Sequence, residues 1–217
     1  MSPWRPLPGE ELLLYSPVGL RLVDDLTGQA PFGPLRVFLD LQDGPDWRPT
    51  PLRPVITASS VITYPGLGRS ADASLPAQRY RVRLEADFYR PGYRSAGDGI
   101  EFDAPRYNDS NPPVPLTTAA IAAALLPSST YPFPSHIPVL HGVVEDGGGQ
   151  PVADALVQEG LRERVLTDER GAFSLPLRWV APGVATLIDA VDRTGRTGSI
   201  SVTLPADLAM SQTITVV

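Results

Sequence analysis

Residues able to do chemistry are few in this chain, and their spacing limits what they can do. Cysteine is absent, so a nucleophile would have to be a serine or threonine activated by histidine. The two histidines are His136 and His141, and no Gly-x-Ser-x-Gly elbow presents a serine. Five residues apart, the histidines fall on opposite faces of a strand and cannot share a metal. Both read as structural or surface residues. The acidic pairs Asp24/Asp25, Glu145/Asp146 and Asp168/Glu169 invite a calcium reading. Each sits at a turn, however, where aspartate is favoured because its carboxylate bonds the backbone. None has the ligand density of an EF-hand loop. Gly147–Gly149 lacks the lysine and helix of a phosphate loop. No catalytic, cofactor-binding or metal-binding residue is assigned, and the chain is expected not to be an enzyme.

Binding residues are easier to nominate. Tyr89, Tyr93 and Tyr107 alternate with Arg90, Arg94 and Arg106, a composition enriched at protein interfaces and also suited to glycans. Ordinary loop anchoring is the competing reading. Residues 1–17 carry Pro3, Pro6, Pro8 and Pro17 among apolar residues. Prolines hold such a segment extended and reduce the entropy lost on docking. Trp4, Leu12 and Leu13 are thus candidate anchors of an arm on a partner subunit, with packing on its own domain as the alternative.

Composition narrows the partners. A net charge of −6 argues against nucleic acid. The longest apolar run, residues 119–127, is too short to span a bilayer. The first residues show no basic stretch followed by an apolar one, so no secretory signal is read and synthesis is expected in the cytoplasm. All 18 basic residues are arginine.

The elements that must position these residues read as strands. Arg79–Phe88 alternates most cleanly, with Tyr80, Val82, Leu84, Ala86 and Phe88 on one face and charged residues on the other. Alternation also predicts strands at 18–25, 35–39, 54–57, 61–64, 99–102, 184–191, 195–202 and 213–217. Leu116–Leu126 fits either a helix or a strand. The 25 prolines and 19 glycines belong to turns and edges of an all-β chain. Ser128–Pro138, with Pro132, Pro134 and Pro138, reads as a stiff linker.

The stretch 141–177 alternates in three runs, with turns at Asp146 to Gly149 and Asp168 to Gly171. Gly142, Val144 and Asp146, then Pro151, Ala155 and Val157, then Thr167, Asp168, Gly171 and Phe173, resemble the carboxypeptidase regulatory-like domains. That resemblance implies a small Ig-like, transthyretin-like β-sandwich over residues 139–217. A diverged copy is read in residues 18–127, where 18–24 matches the strand ending at Asp146 and 35–39 matches 155–157. The expected organisation is an arm (1–17), a first sandwich with long loops (18–127), a linker (128–138) and a second sandwich (139–217).

Carboxypeptidases of this kind keep their zinc site in a separate domain, and no matching His/Glu cluster occurs here. The several histidines and C-terminal tetrapeptide of transthyretin-like hydrolases are missing too. The lysine–asparagine cross-link of some surface sandwiches is excluded, because the chain has no lysine. The resemblance implies a non-enzymatic structural or adaptor subunit, a homo-oligomer or part of a multi-protein particle. A virion, phage-tail or contractile-injection particle is the expected setting. The alternative is a glycan- or receptor-binding module.

Overall fold

A computed structural model describes residues 15–113, 119–160 and 162–217. The chain is all-β. Its first nine strands are β1 Gly19–Asp24, β2 Leu35–Asp43, β3 Asp46–Pro49, β4 Val55–Ile56, β5 Val61–Thr63, β6 Gln78–Ala86, β7 Tyr89–Pro91, β8 Ile100–Ala104 and β9 Ile121–Pro127. The remaining seven are β10 Val139–Asp146, β11 Leu156–Glu159, β12 Glu163–Leu166, β13 Ala172–Pro176, β14 Ala185–Val191, β15 Thr197–Thr203 and β16 Gln212–Val216. Helical structure among the described residues is confined to two four-residue 3-10 turns, Gly92–Ser95 and Ala206–Ala209.

The internal repeat read from sequence has a topological counterpart. Residues 139–217 form two sheets with strand orders β13-β10-β16 and β12-β11-β14-β15. Residues 18–127 run in the corresponding orders, β5-β1-β9 and β3-β2-β6-β8, with β4 and β7 added at the ends of the first of these. In these orders β5, β1 and β9 take the places of β13, β10 and β16, and β3, β2, β6 and β8 those of β12, β11, β14 and β15.

The backbone divides into compact units that interleave in sequence. One takes the described parts of residues 1–21, 38–82 and 101–121; the other takes 22–37, 83–100 and 122–217. Residues 128–138, read from sequence as a linker, lie inside the second unit. Ser128 N–H donates to the Phe88 carbonyl and Tyr131 is buried, so the segment is tied down by its own contacts.

Three strands were not expected. In β3, Asp46-Trp47-Arg48-Pro49 is mostly exposed and has no apolar alternation; its hairpin with β2 turns at Gly44, whose φ is 62°. In β7, Tyr89-Arg90-Pro91 is buried throughout, a feature that a buried arginine hides from any hydrophobic pattern. In β12, the buried Glu163 pairs with Arg178. Of the ambiguous stretch 116–126, the part from Ile121 is strand, and residues 114–118 lie outside those described.

Both sheets of the second repeat contribute to one core. Leu140, Val144, Phe173, Leu175, Ile214 and Val216 from one sheet meet Val157, Val165, Ile188, Ala190 and Val202 from the other. Gly142 sets the closest approach. A Cβ there would lie 2.5 Å from both Phe173 Cζ and the Gln212 carbonyl, so β13 and β16 leave room for hydrogen only.

At the β14–β15 turn, Asp192 accepts bonds from Thr194 N–H and Arg196 N–H, and its other oxygen takes Arg196 Nε at 2.7 Å. Burial works to raise the Asp192 pKa, but the bonds from Arg196 and Thr194 outweigh it and bring it down to about 2.

Two outcomes are expected. Gly142→Ala should destabilise the protein by about 1–3 kcal/mol through overpacking, and Phe173→Ala by about 3–5 kcal/mol through the cavity it leaves, both read from urea denaturation. Asp192 has a folded pKa below its unfolded one, so its stabilisation is full above about pH 4 and lost as pH falls towards 2. Melting temperatures of wild type and Asp192→Asn should therefore differ at pH 7 and converge over that window.

Candidate functional site

The three tyrosines nominated as binding residues turn out to be anchors. Tyr89 is 2% exposed. Its hydroxyl and that of Tyr131 both donate to Asp24 Oδ2, at 3.2 and 3.0 Å. Asp24 Oδ1 accepts from Leu26 N–H and Thr27 N–H, so the turn aspartate expected from sequence also collects two phenols. Burial, with the Asp24 carboxylate beside it, pushes the Tyr89 phenol up to about 12. Phe32 packs on Phe88, Tyr89 and Tyr131.

Tyr93 is half-buried and accepts a 2.8 Å bond from Leu84 N–H. Tyr107, 1% exposed, meets Tyr15 edge-on and accepts from Tyr15 N–H at 3.2 Å. Tyr89 and Tyr107 therefore offer no ring to a partner, and Tyr93 spends its hydroxyl on its own backbone. The structure corrects the interface reading in favour of loop anchoring. Trp4, Leu12 and Leu13 lie outside the described residues.

The acidic pairs are likewise committed to turns. Asp146 Oδ1 takes Gly148 N–H and Gln150 N–H; Asp168 Oδ1 takes Arg170 N–H and Ala172 N–H. Among the described residues no three His, Asp or Glu side chains converge as metal ligands. His136 is exposed. His141 Nδ1 lies 3.0 Å from Ser174 Oγ across the β10–β13 pair, a juxtaposition that sequence spacing does not reveal. Ser174 is buried and its hydroxyl donates to the Ser129 carbonyl at 3.4 Å.

Sequence reasoning also missed an ionic cluster in the second unit, with Arg90 and Asp154 buried and Glu169 exposed. Arg90, 8% exposed, donates through Nη2 and Nε to Asp154 Oδ1 at 2.6 and 3.2 Å, and through Nη1 to Glu169 at 3.0 Å. Arg94 Nε reaches the same Asp154 oxygen at 3.1 Å. Asp154 adopts φ 56°, a left-handed conformation that a short polar residue tolerates. The Tyr–Arg alternation does have a structural use here, since the arginines hold the 154 turn.

The first unit contains a cavity of about 270 Å³. Its walls include Arg53, Tyr64, Leu67, Arg69, Tyr80 and Arg106, with Leu52 at the rim. Tyr64 follows β5, Tyr80 lies on β6 and Arg106 follows β8. Between them the chain turns sharply through Gly66 and Gly68, at φ 85° and 90°, and a Cβ at Gly68 would collide with the Pro105 carbonyl. Arg69 is neutralised by two parallel bonds to Asp109. Arg53 and Arg106 have no carboxylate at ion-pair distance among the described residues. Arg106 Nε and the Tyr64 hydroxyl are buried without a hydrogen-bond partner. Burial, then the charge on Asp40, pushes the Tyr64 phenol well above its usual range, so it stays protonated. Asp40 is itself held by Arg81 at 2.9 Å, and Arg81 lies over Trp47.

Beside this cavity in sequence, β4 forms the end of its sheet. Val55 and Ile56 are about half exposed, as is Leu52. An apolar edge of this kind is a template for further strand pairing.

No protein-family model matches the chain, and no curated protein matches it. A solved structure described as the Bacillus anthracis TIE protein is similar over 93% of this chain at 9% identity and a TM-score of 0.29. The present chain spans 33% of that one. A likeness at this level assigns neither fold nor function. No helix among the described residues is long and apolar enough to cross a membrane.

The ionic cluster generates a prediction. Asp154→Ala leaves Arg90 with the exposed Glu169 alone, and should cost about 1–3 kcal/mol, measured by chemical denaturation.

Proposed function

We propose that the chain is a non-enzymatic structural or adaptor subunit of a larger protein assembly. The observation that carries this reading is the β4 edge. There, an apolar strand end-on to solvent suits the addition of an extended segment from another subunit, by main-chain pairing with side-chain contacts to Leu52, Val55 and Ile56. Natural edges are blunted by shortness, charge, proline or cover; β4 is two residues long and follows Pro54, but Val55 and Ile56 themselves carry no charge and are about half exposed. The repeated strand order supports the reading of two related sandwiches, the second resembling a regulatory-like domain. Such sandwiches in phage-tail and contractile-injection particles supply the setting by fold analogy.

A second reading, a glycan- or receptor-binding module, is favoured by the arginine-lined cavity of the first unit. The two readings differ in what they need: the first a neighbouring chain, the second a free ligand.

Light scattering coupled to size-exclusion chromatography tests the first. The purified chain is expected to self-associate, and Ile56→Lys should weaken association by about tenfold or more, as burying an unpaired charge at an edge demands. The variant's melting temperature should stay near wild type, since residue 56 is about half exposed. A chain monomeric at every concentration, or association that Ile56→Lys leaves unchanged, would refute the edge reading. Turnover of an ester or amide substrate would refute the non-enzymatic one.

A further inference from the structure

We infer that the cavity of the first unit is a binding site for a small organic carboxylate. Three observations on the same walls point to it. The cavity is cationic in a chain of net charge −6: Arg53 and Arg106 have no carboxylate at ion-pair distance among the described residues, while Arg69 is already matched by Asp109. Arg106 Nε is buried with its hydrogen-bonding capacity unused, a situation that costs more for a charged donor than for a neutral one. Tyr64, 3% exposed, lines the same space with an unpartnered hydroxyl. Carboxylate and phosphate both accept paired, charge-assisted bonds from a guanidinium fork; with the Asp40 charge felt at Tyr64, the singly charged carboxylate is the better match to this wall.

Size sets the class more narrowly. At about 270 Å³ the cavity lies near the lower limit for ligand sites, enough for a single sugar acid or a simpler hydroxy acid. Leu52, Leu67 and the ring of Tyr80 supply apolar wall, and Tyr80 stacks on Phe102, which stiffens that side. Asp40 is the charge that opposes an anion, and Arg81 holds it. Arg106 is the central anchor, Arg53 an outer one, and Arg69 a positioned wall whose charge is spoken for.

The site does not depend on the assembly reading, and its test uses the full chain. Sodium D-glucuronate and sodium L-lactate are titrated while the Arg Nε–Hε resonances are followed by NMR, with D-glucose and ionic-strength-matched sodium chloride as controls. Saturable perturbation of the Arg106 signal by either carboxylate is expected, and the tighter of the two separates a sugar acid from a simple hydroxy acid. Arg106→Met should weaken that binding by about tenfold or more. If Arg106→Met fails to fold, the exposed Arg53→Gln serves instead and should weaken binding by about threefold. No saturation beyond the chloride control, equal response to glucose, or affinity unchanged in the folded variant would overturn the inference.

Discussion

An aspartate carboxylate turned back on main-chain N–H groups is the interaction on which this structure most depends. Asp24, Asp146, Asp168 and Asp192 each accept at least two such bonds. A chain with 25 prolines has fewer N–H groups to offer ladders, and the sharp turns between strands leave donors that no neighbouring strand can satisfy. Short acidic side chains meet that need locally. In doing so they fix where each strand starts, and with period-two geometry a one-residue slip would turn a core face outward.

The same economy explains why the acidic surplus signals no ligand chemistry. The paired carboxylates that look like ligands in sequence include Asp24, Asp146 and Asp168, each bonded to turn N–H groups. Asp24 adds two phenols and Asp154 two guanidinium groups. Asp154 holds its two arginines from a left-handed backbone position, φ 56°. The cavity wall differs in that Arg106 Nε is buried there with no hydrogen-bond partner among the described residues.

Strands with one buried face were legible from sequence because their apolar residues alternate. Gln78–Ala86 shows it, with Tyr80, Val82 and Leu84 buried. The turns were legible for the same reason, since glycine and aspartate mark them chemically. What escaped was whatever depends on a partner distant in the chain. Edge strand β3 has no alternation to read, and β7 hides its burial behind Arg90, whose carboxylate partner lies in another loop. The arginines of 90 and 94 looked like surface recognition residues because composition cannot distinguish a side chain that meets a ligand from one that meets Asp154. The cavity residues are spread from 53 to 106 and share no motif, so only the fold brings them together.

The parallel pairing of β10 with β16 bears on how the second sandwich forms during synthesis. Val144 lies beside Ile214, at opposite ends of that module's sequence, and both sit in its core. Until β16 has left the ribosome, β10 has one long edge unpaired and Gly142 has nothing behind it but Phe173. A nascent chain paused before residue 212 would hold a half-closed sandwich with an apolar seam open to water. Until Gln212–Val216 is in place, the sequence-distant β10–β16 pairing leaves this sandwich with an open apolar seam, so its closure is non-local and late.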